Sequence, residues 1–207
     1  LEQAGRDGGV FAGVGLDGPH NLNADVSVYP GAQVLTESGQ ARKTSYAKAT
    51  VNINPARWAP LLSLSATAGQ MVDFATGEVV DGAGYDSTLR IRPIDRLELE
   101  ARLAGTRLGG LGASHLQETV TGLTGTWFFN ARFYALVNWQ SYQSDRRFPV
   151  GGLDRSTLAS LQFSWEPTGG TGVYWGVRSG HDMPASGPNT RSTEIYLKLS
   201  KTFGARI

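Results

Sequence analysis

A chain of 207 residues is long enough for one domain with a substantial core, or for part of something larger. Its 19 Lys and Arg stand against 18 Asp and Glu, so bulk charge gives no reason to expect nucleic-acid binding. The absence of Cys excludes disulfide frameworks, thiolate metal sites and Cys nucleophiles, and no run approaches the roughly 18 apolar residues of a membrane helix.

The pattern along the chain is period two almost throughout, with 27 Gly and aromatics at 10%, which points to an all-β protein. It opens on GVGLDG, Gly13 to Gly18, which spells the G-x-G-x-x-G of a dinucleotide site. Val10, Ala12, Val14 and Leu16 alternate with Phe11, Gly13 and Gly15, so the first glycines sit inside a strand on its inward face. Asp17 and Gly18 read as turn chemistry, and no helix follows to aim its N-terminus at a phosphate, so no nucleotide is expected.

After the tight turn at 17–21, LNADVSVYP alternates again, then comes a polar stretch over 30–44. SYAKATVNI leads to a short turn at 54–57, and WAPLLSLSATAG to a polar stretch over 69–84. STLRIRPIDRLELEARL is a hairpin about the turn at 93–95. In its second half Leu97, Leu99, Ala101 and Leu103 oppose Glu98, Glu100 and Arg102; a helix would scatter those charges around its cylinder. A stretch over 106–118 follows, then the hairpin TGTWFFNARFYALVNWQSY about 129–132, a stretch over 144–156, and TLASLQFSW to the turn at 167–171. GVYWGVRSG, a last stretch over 179–191 and EIYLKLSKTF complete the chain.

About eleven strands result, many near the nine to eleven residues that cross a bilayer obliquely, with short turns and long loops in strict alternation. The expected fold is an all-β, antiparallel, up-and-down transmembrane β-barrel of about 11–12 strands. Residues 1–207 form one domain, or the C-terminal part of a larger barrel. Single-chain barrels normally have an even count, so a further strand is expected upstream.

Trp58, Trp127, Phe129, Phe133, Trp165 and Trp175 flank the short turns, and Phe203 closes the last strand at that end, as an aromatic girdle at a membrane interface would. One strand parity is aliphatic and suits lipid. The other carries Arg90, Arg92, Glu98, Glu100, Arg102, Arg178 and Lys198, which suit a water-filled or salt-bridged lumen. Folding the hairpin about Pro93 sets Arg90 and Arg92 against Glu98 and Glu100 as a charged ladder.

Candidates for chemistry are few. His20 sits in a turn, and His115 and His181 in expected loops. His181-Asp182 could be half of a dyad, although neighbours on an extended segment point apart. Asp73, Glu78, Asp81 and Asp86 could suggest calcium, but the spacing of an EF-hand is absent. Arg146 and Arg147, beside Phe148, could meet the phosphates of lipopolysaccharide, against the simpler reading of a solvated pair. No cofactor and no metal are expected.

The runs around Arg92-Pro93, Phe128 to Phe133, and Trp165 with Pro167, together with EIYLKLSKTF, resemble a barrel found at the C-terminus of bacterial proteins of unknown function. Those proteins carry an N-terminal domain similar to family 9 carbohydrate-binding modules. The resemblance covers the last two-thirds of the chain and rests on turn chemistry. It implies an outer-membrane location and brings no activity. Phe203 looks like the terminal aromatic read by the barrel-assembly machinery, although Gly204 to Ile207 extend past it.

The expected function is therefore non-enzymatic: a channel, a transport component or a membrane anchor in a bacterial outer membrane. Its expected partners are lipids, lipopolysaccharide, the assembly machinery and an envelope protein. The rivals are a soluble carbohydrate-binding β-sandwich and an outer-membrane hydrolase with a loop site near His181.

Overall fold

The computed structural model describes residues 11–36, 39–109, 116–147, 152–168 and 171–201, and statements of absence below refer to these. They form eleven strands: β1 (Ala12–Gly18), β2 (Leu22–Leu35), β3 (Ala41–Ile53), β4 (Leu61–Asp73), β5 (Glu78–Ile94), β6 (Leu97–Leu108), β7 (Leu116–Asn130), β8 (Phe133–Arg146), β9 (Gly152–Thr168), β10 (Thr171–Met183) and β11 (Thr190–Lys201). Each strand pairs antiparallel with its neighbours in the chain, giving one sheet in the order β1 to β11. No second sheet packs on it, which is not the layering of a β-sandwich.

The sheet is not closed. β1 and β11 are its two edges. In an antiparallel sheet the first and eleventh strands run in the same direction, so only a parallel ladder could join them, and none forms.

Several stretches that read as long loops are strand. Residues 30–35 and 41–44 extend β2 and β3, and 69–73 and 78–84 extend β4 and β5, leaving a four-residue turn at 74–77. His181 likewise lies in β10 rather than in a loop. Backbone ladders need no alternation of apolar and polar side chains, so pairing continues through these mixed stretches. Strict sorting into short turns and long loops therefore does not hold; the connection from β3 to β4, over 54–60, is among the longer ones.

The first hairpin turns one step later than the sequence suggests. Gly18 is the last residue of β1, opposite Leu22, while His20 and Asn21 take φ of 59° and 53°. A left-handed pair of this kind is what a type I′ turn requires, and the Leu22 amide donates to the Pro19 carbonyl at 3.1 Å.

Period-two alternation sorts the two faces cleanly. One row of cross-strand partners reads Ile53, Leu62, Leu89, Ala101, Leu123, Trp139, Ala159; the row beside it on the other face reads Asn52, Ser63, Thr88, Arg102, Gly122, Gln140, Leu158. The apolar face lacks any cover from the described residues. Val14, Ile195 and Leu199 are 81%, 84% and 72% exposed, and the buried apolar side chains are only Ala32, Val34, Ala59, Val72, Leu108 and Leu116.

Curvature follows from one contact. Arg146 Nη1 donates to Asp73 Oδ2 at 3.0 Å, although β8 and β4 are four strands apart. On a flat sheet four steps of about 4.8 Å would separate the backbones by roughly 19 Å, beyond the reach of an Arg and an Asp. The sheet therefore bends with its polar face concave. Glycine follows the bend: Gly13, Gly15, Gly69, Gly82, Gly84, Gly122, Gly172, Gly176 and Gly180 lie on the concave face, and only Gly105 and Gly125 of the strand interiors on the convex one. Side chains converge on a concave surface, and a Cβ on Gly13 would stand 2.6 Å from Ser27 Oγ, one on Gly176 2.3 Å from the Leu161 carbonyl.

At the end with the tightest turns, backbone bonds lace the rim. The amides of Asn54, Arg92, Phe128 and Glu166 donate to the carbonyls of His20, Trp58, Arg96 and Arg132, at 2.8, 2.6, 2.8 and 2.8 Å. Each bond reaches back to the preceding turn at that rim.

Candidate functional site

The concave face holds most of the charged residues singled out from the sequence. Arg90 and Glu100 are cross-strand partners on β5 and β6, and Arg90 Nη2 donates to Glu100 Oε2 at 2.6 Å. Arg92 pairs with Glu98, and Arg90 Nε lies 3.7 Å from Glu98 Oε1. Arg102 continues the series by donating to Asp86 Oδ2 at 2.7 and 3.1 Å, a partner the sequence reading left out. Asp86 is separated from Arg102 by one row of the ladder, a diagonal that becomes visible only with the register fixed. Arg178 stands opposite Glu194, and Lys198 opposite Tyr174, on the same face of β10 and β11.

Near the tight turns the concave face is a tyrosine network. Glu166 Oε1 accepts from Tyr134 at 3.2 Å and from Tyr174 at 3.1 Å, while Tyr196 donates to Gln162 at 2.9 Å. Gln162 in turn donates to Ser164, which is fully buried. Tyrosine rings here lie over glycines: a Cβ on Gly172 would stand 2.5 Å from the Tyr174 hydroxyl.

At the opposite end the β4–β5 turn is latched to the sheet. Asp73, whose side chain is 3% exposed, accepts from Arg146 at 3.0 and 3.2 Å. Its Oδ1 also accepts from the Ala75 amide at 3.0 Å, and its carbonyl from the Gly77 amide at 2.7 Å. From β3, Arg42 Nε donates to the Gly77 carbonyl at 3.0 Å. The buried side chains Val34, Thr36, Thr44, Val72, Leu108, Leu116 and Ser144 belong to this same end of the strands.

On the convex face the aromatics gather at the tight-turn end of β7 to β10. Phe133 stacks on Phe129 at 4.7 Å, on Trp175 at 6.0 Å and on Phe163 at 6.2 Å, and Phe163 meets Trp175 at 5.7 Å. Trp127 and Trp165 share that face and are partly exposed. Phe163, missed from the sequence, is one more alternating position of β9. Trp58 sits apart in the β3–β4 connection, 61% exposed, and Phe203 lies outside the described residues. The aromatics form a sector rather than a belt. The corresponding positions at the tight-turn ends of β2 to β6 carry Leu22, Ile53, Leu62, Ile91 and Leu99 instead.

Other candidates come apart. His181 faces the convex side opposite Arg191, while Asp182 faces the concave side and accepts from Ser156 Oγ at 2.5 Å, so the two do not form a dyad with each other. Arg146 turns inward to Asp73 instead of outward toward a phosphate; Phe148 and His115 lie outside the described residues. Of the four acids considered for calcium, Asp73 is held by Arg146 and Asp86 by Arg102, and Asp81 lies on the convex face. Among the described residues no group of three His, Asp or Glu is placed to hold a metal ion.

No protein-family model matches the chain, and no curated protein matches it in sequence.

Proposed function

We propose that this chain forms a curved wall in a bacterial outer membrane, with lipid against its convex face and a polar interior along its concave one. In this role it is non-enzymatic, serving as a channel, a transport component or a membrane anchor. The observation that carries the reading is the inversion of the usual burial pattern: the apolar face is the convex, uncovered one, and the charged face is turned inward. An exposed apolar surface of this extent in water would drive association. The band has the right height for a bilayer. On β6 it runs from Leu97 to Gly105, where the charged Arg107 follows. Nine residues at about 3.3 Å, tilted by about 40°, span roughly 20–25 Å, close to the apolar band of known barrels.

The aromatic cluster at one end of the band supports the same orientation, since Trp and Tyr favour the headgroup level. The resemblance in turn chemistry to the C-terminal barrels described above agrees with it. The ladder of Arg90, Arg92, Arg102 with Asp86, Glu98 and Glu100 then lines a hydrated interior, where paired charges are tolerated.

Extraction tests the reading. The protein should resist release from envelopes by salt or alkali, require detergent, and migrate faster on gels when unheated than when boiled. Release into detergent-free buffer as a monodisperse species would end it. Conductance across a planar bilayer then separates channel from anchor.

A further inference from the structure

A cavity of about 860 Å³ lies on the concave face against the latched β4–β5 turn. Its wall is built by one row of cross-strand partners, Thr67, Gly84, Thr106 and Glu118, on β4 to β7. The row offers hydroxyl, gap, hydroxyl and carboxylate in sequence. At Gly84 the missing side chain leaves bare backbone between the two threonines. An apolar patch of Met71, Phe74, Leu108 and Leu116 also lines the cavity, and so does Tyr46, whose ring stacks on Tyr29 at 4.7 Å.

The charges on this wall are already engaged. Asp73 is paired with Arg146 and Asp86 with Arg102, and Glu118 accepts from the Tyr142 hydroxyl at 2.7 Å. Arg146, the cation among the lining residues, is therefore committed, although Lys48 on β3 stands opposite Thr67 at the edge of the row, while the carboxylates keep lone pairs for further donors. A surface that sets hydroxyls and carboxylate oxygens against an aromatic and aliphatic patch matches a solute with a polar rim and an apolar face. The volume is in the range of small-molecule sites.

We propose that this cavity binds a small, neutral, polyhydroxylated ring compound, a mono- or disaccharide, lying over Gly84 with its hydroxyls on Thr67, Thr106 and Glu118. The site is independent of the membrane reading, because it belongs to the concave face whatever covers the convex one.

Calorimetric titration and saturation-transfer NMR on the detergent-solubilised, full chain test it, with glucose, maltose and sucrose as probes and gluconate and phosphate as anionic controls. Circular dichroism first verifies the β-structure of each sample. At least one neutral sugar should bind saturably and the anions should not. A Cβ at Gly84 meets only ordinary contacts, 3.5 Å from the Gly105 carbonyl and 3.7 Å from Thr106 Oγ1, so Gly84→Leu fills the gap without backbone conflict and should abolish binding. Gly122→Ala, on the same face but outside the cavity, has its Cβ 3.8 Å from Arg102 Cβ and should bind as the parent does. If Gly84→Leu loses its β signature, Thr67→Val with Thr106→Val replaces it, with binding weakened about tenfold or more. Absence of sugar binding by the folded parent, equal binding by the filled variant, or equal binding of gluconate overturns the proposal. Failure to need detergent would overturn the membrane reading alone.

Discussion

Asp73 and Arg146 form the contact that bridges four strands of the sheet, and the most deeply placed ion pair among the described residues. With the Asp73 side chain 3% and Arg146 23% exposed, removing the cation leaves a buried carboxylate with only the Ala75 amide. Arg146→Gln should therefore destabilise the fold by about 3 kcal/mol, with Asp73→Asn recovering much of that in the double variant, as read by urea unfolding in detergent micelles. Arg90→Gln is a useful contrast. Its pair with Glu100 is shorter, 2.6 Å against 3.0 Å, but the Arg90 side chain is 42% exposed, and water screens the interaction to under about 1 kcal/mol. Equal losses for the two variants would contradict the burial difference. The Arg90 ladder could be anticipated because all four residues share a parity within one hairpin. The Asp73–Arg146 pair could not, since 73 residues separate the partners and only the bend of the sheet brings them together.

Within each strand, parity assigns one face or the other to every side chain, and this gives a test one residue wide. Val137 is on the convex face of β8 between Gly125 and Leu161, and Asn138 on the concave face between Thr124 and Ser160. With lipid on the convex side, Val137→Arg should cost about 2–4 kcal/mol, the range for a cation near the bilayer midplane, and Asn138→Arg less than about 1 kcal/mol. Folding titrations into lipid vesicles measure both; similar costs would mean that no lipid covers the convex face. Strand existence was evident from alternation alone, as in Leu97 to Leu103. Strand ends were not. Around His181 the side chains on both faces become polar, and beside Asp73 and Glu78 the rows Met71–Val80 and Val72–Val79 are apolar on both, so alternation falls silent while the backbone ladder continues. The first turn was displaced for a similar reason: Asp17-Gly18 is good turn chemistry, but pairing of Gly18 with Leu22 hands the left-handed positions to His20 and Asn21.

At the scale of the molecule, the two edges behave unlike the middle. β1 and β11 each have one paired neighbour, and nearly all of their residues are exposed on both faces. Their amides should exchange with solvent fastest, and those of β6 to β8, laddered on both sides, slowest, as hydrogen-exchange mass spectrometry on the solubilised chain would report. Uniform protection across all eleven strands would mean that the edges are paired under those conditions. A count of about eleven to twelve could be read from turns and alternation, and with it the all-β, up-and-down order; the described residues form eleven. Period two fixes which residues share a face, because successive Cβ atoms must point to opposite sides of any strand. It carries no information about which face is concave, since bending depends on contacts summed over many strands: the Arg146 reach, the crowding relieved by Gly13 and Gly176, and the row that leaves a gap at Gly84. The sequence by itself determined the elements and their two faces. The tertiary structure alone decided which face turns inward, where the strands stop, and that no ladder joins the edges, because those outcomes rest on contacts between residues far apart in the chain.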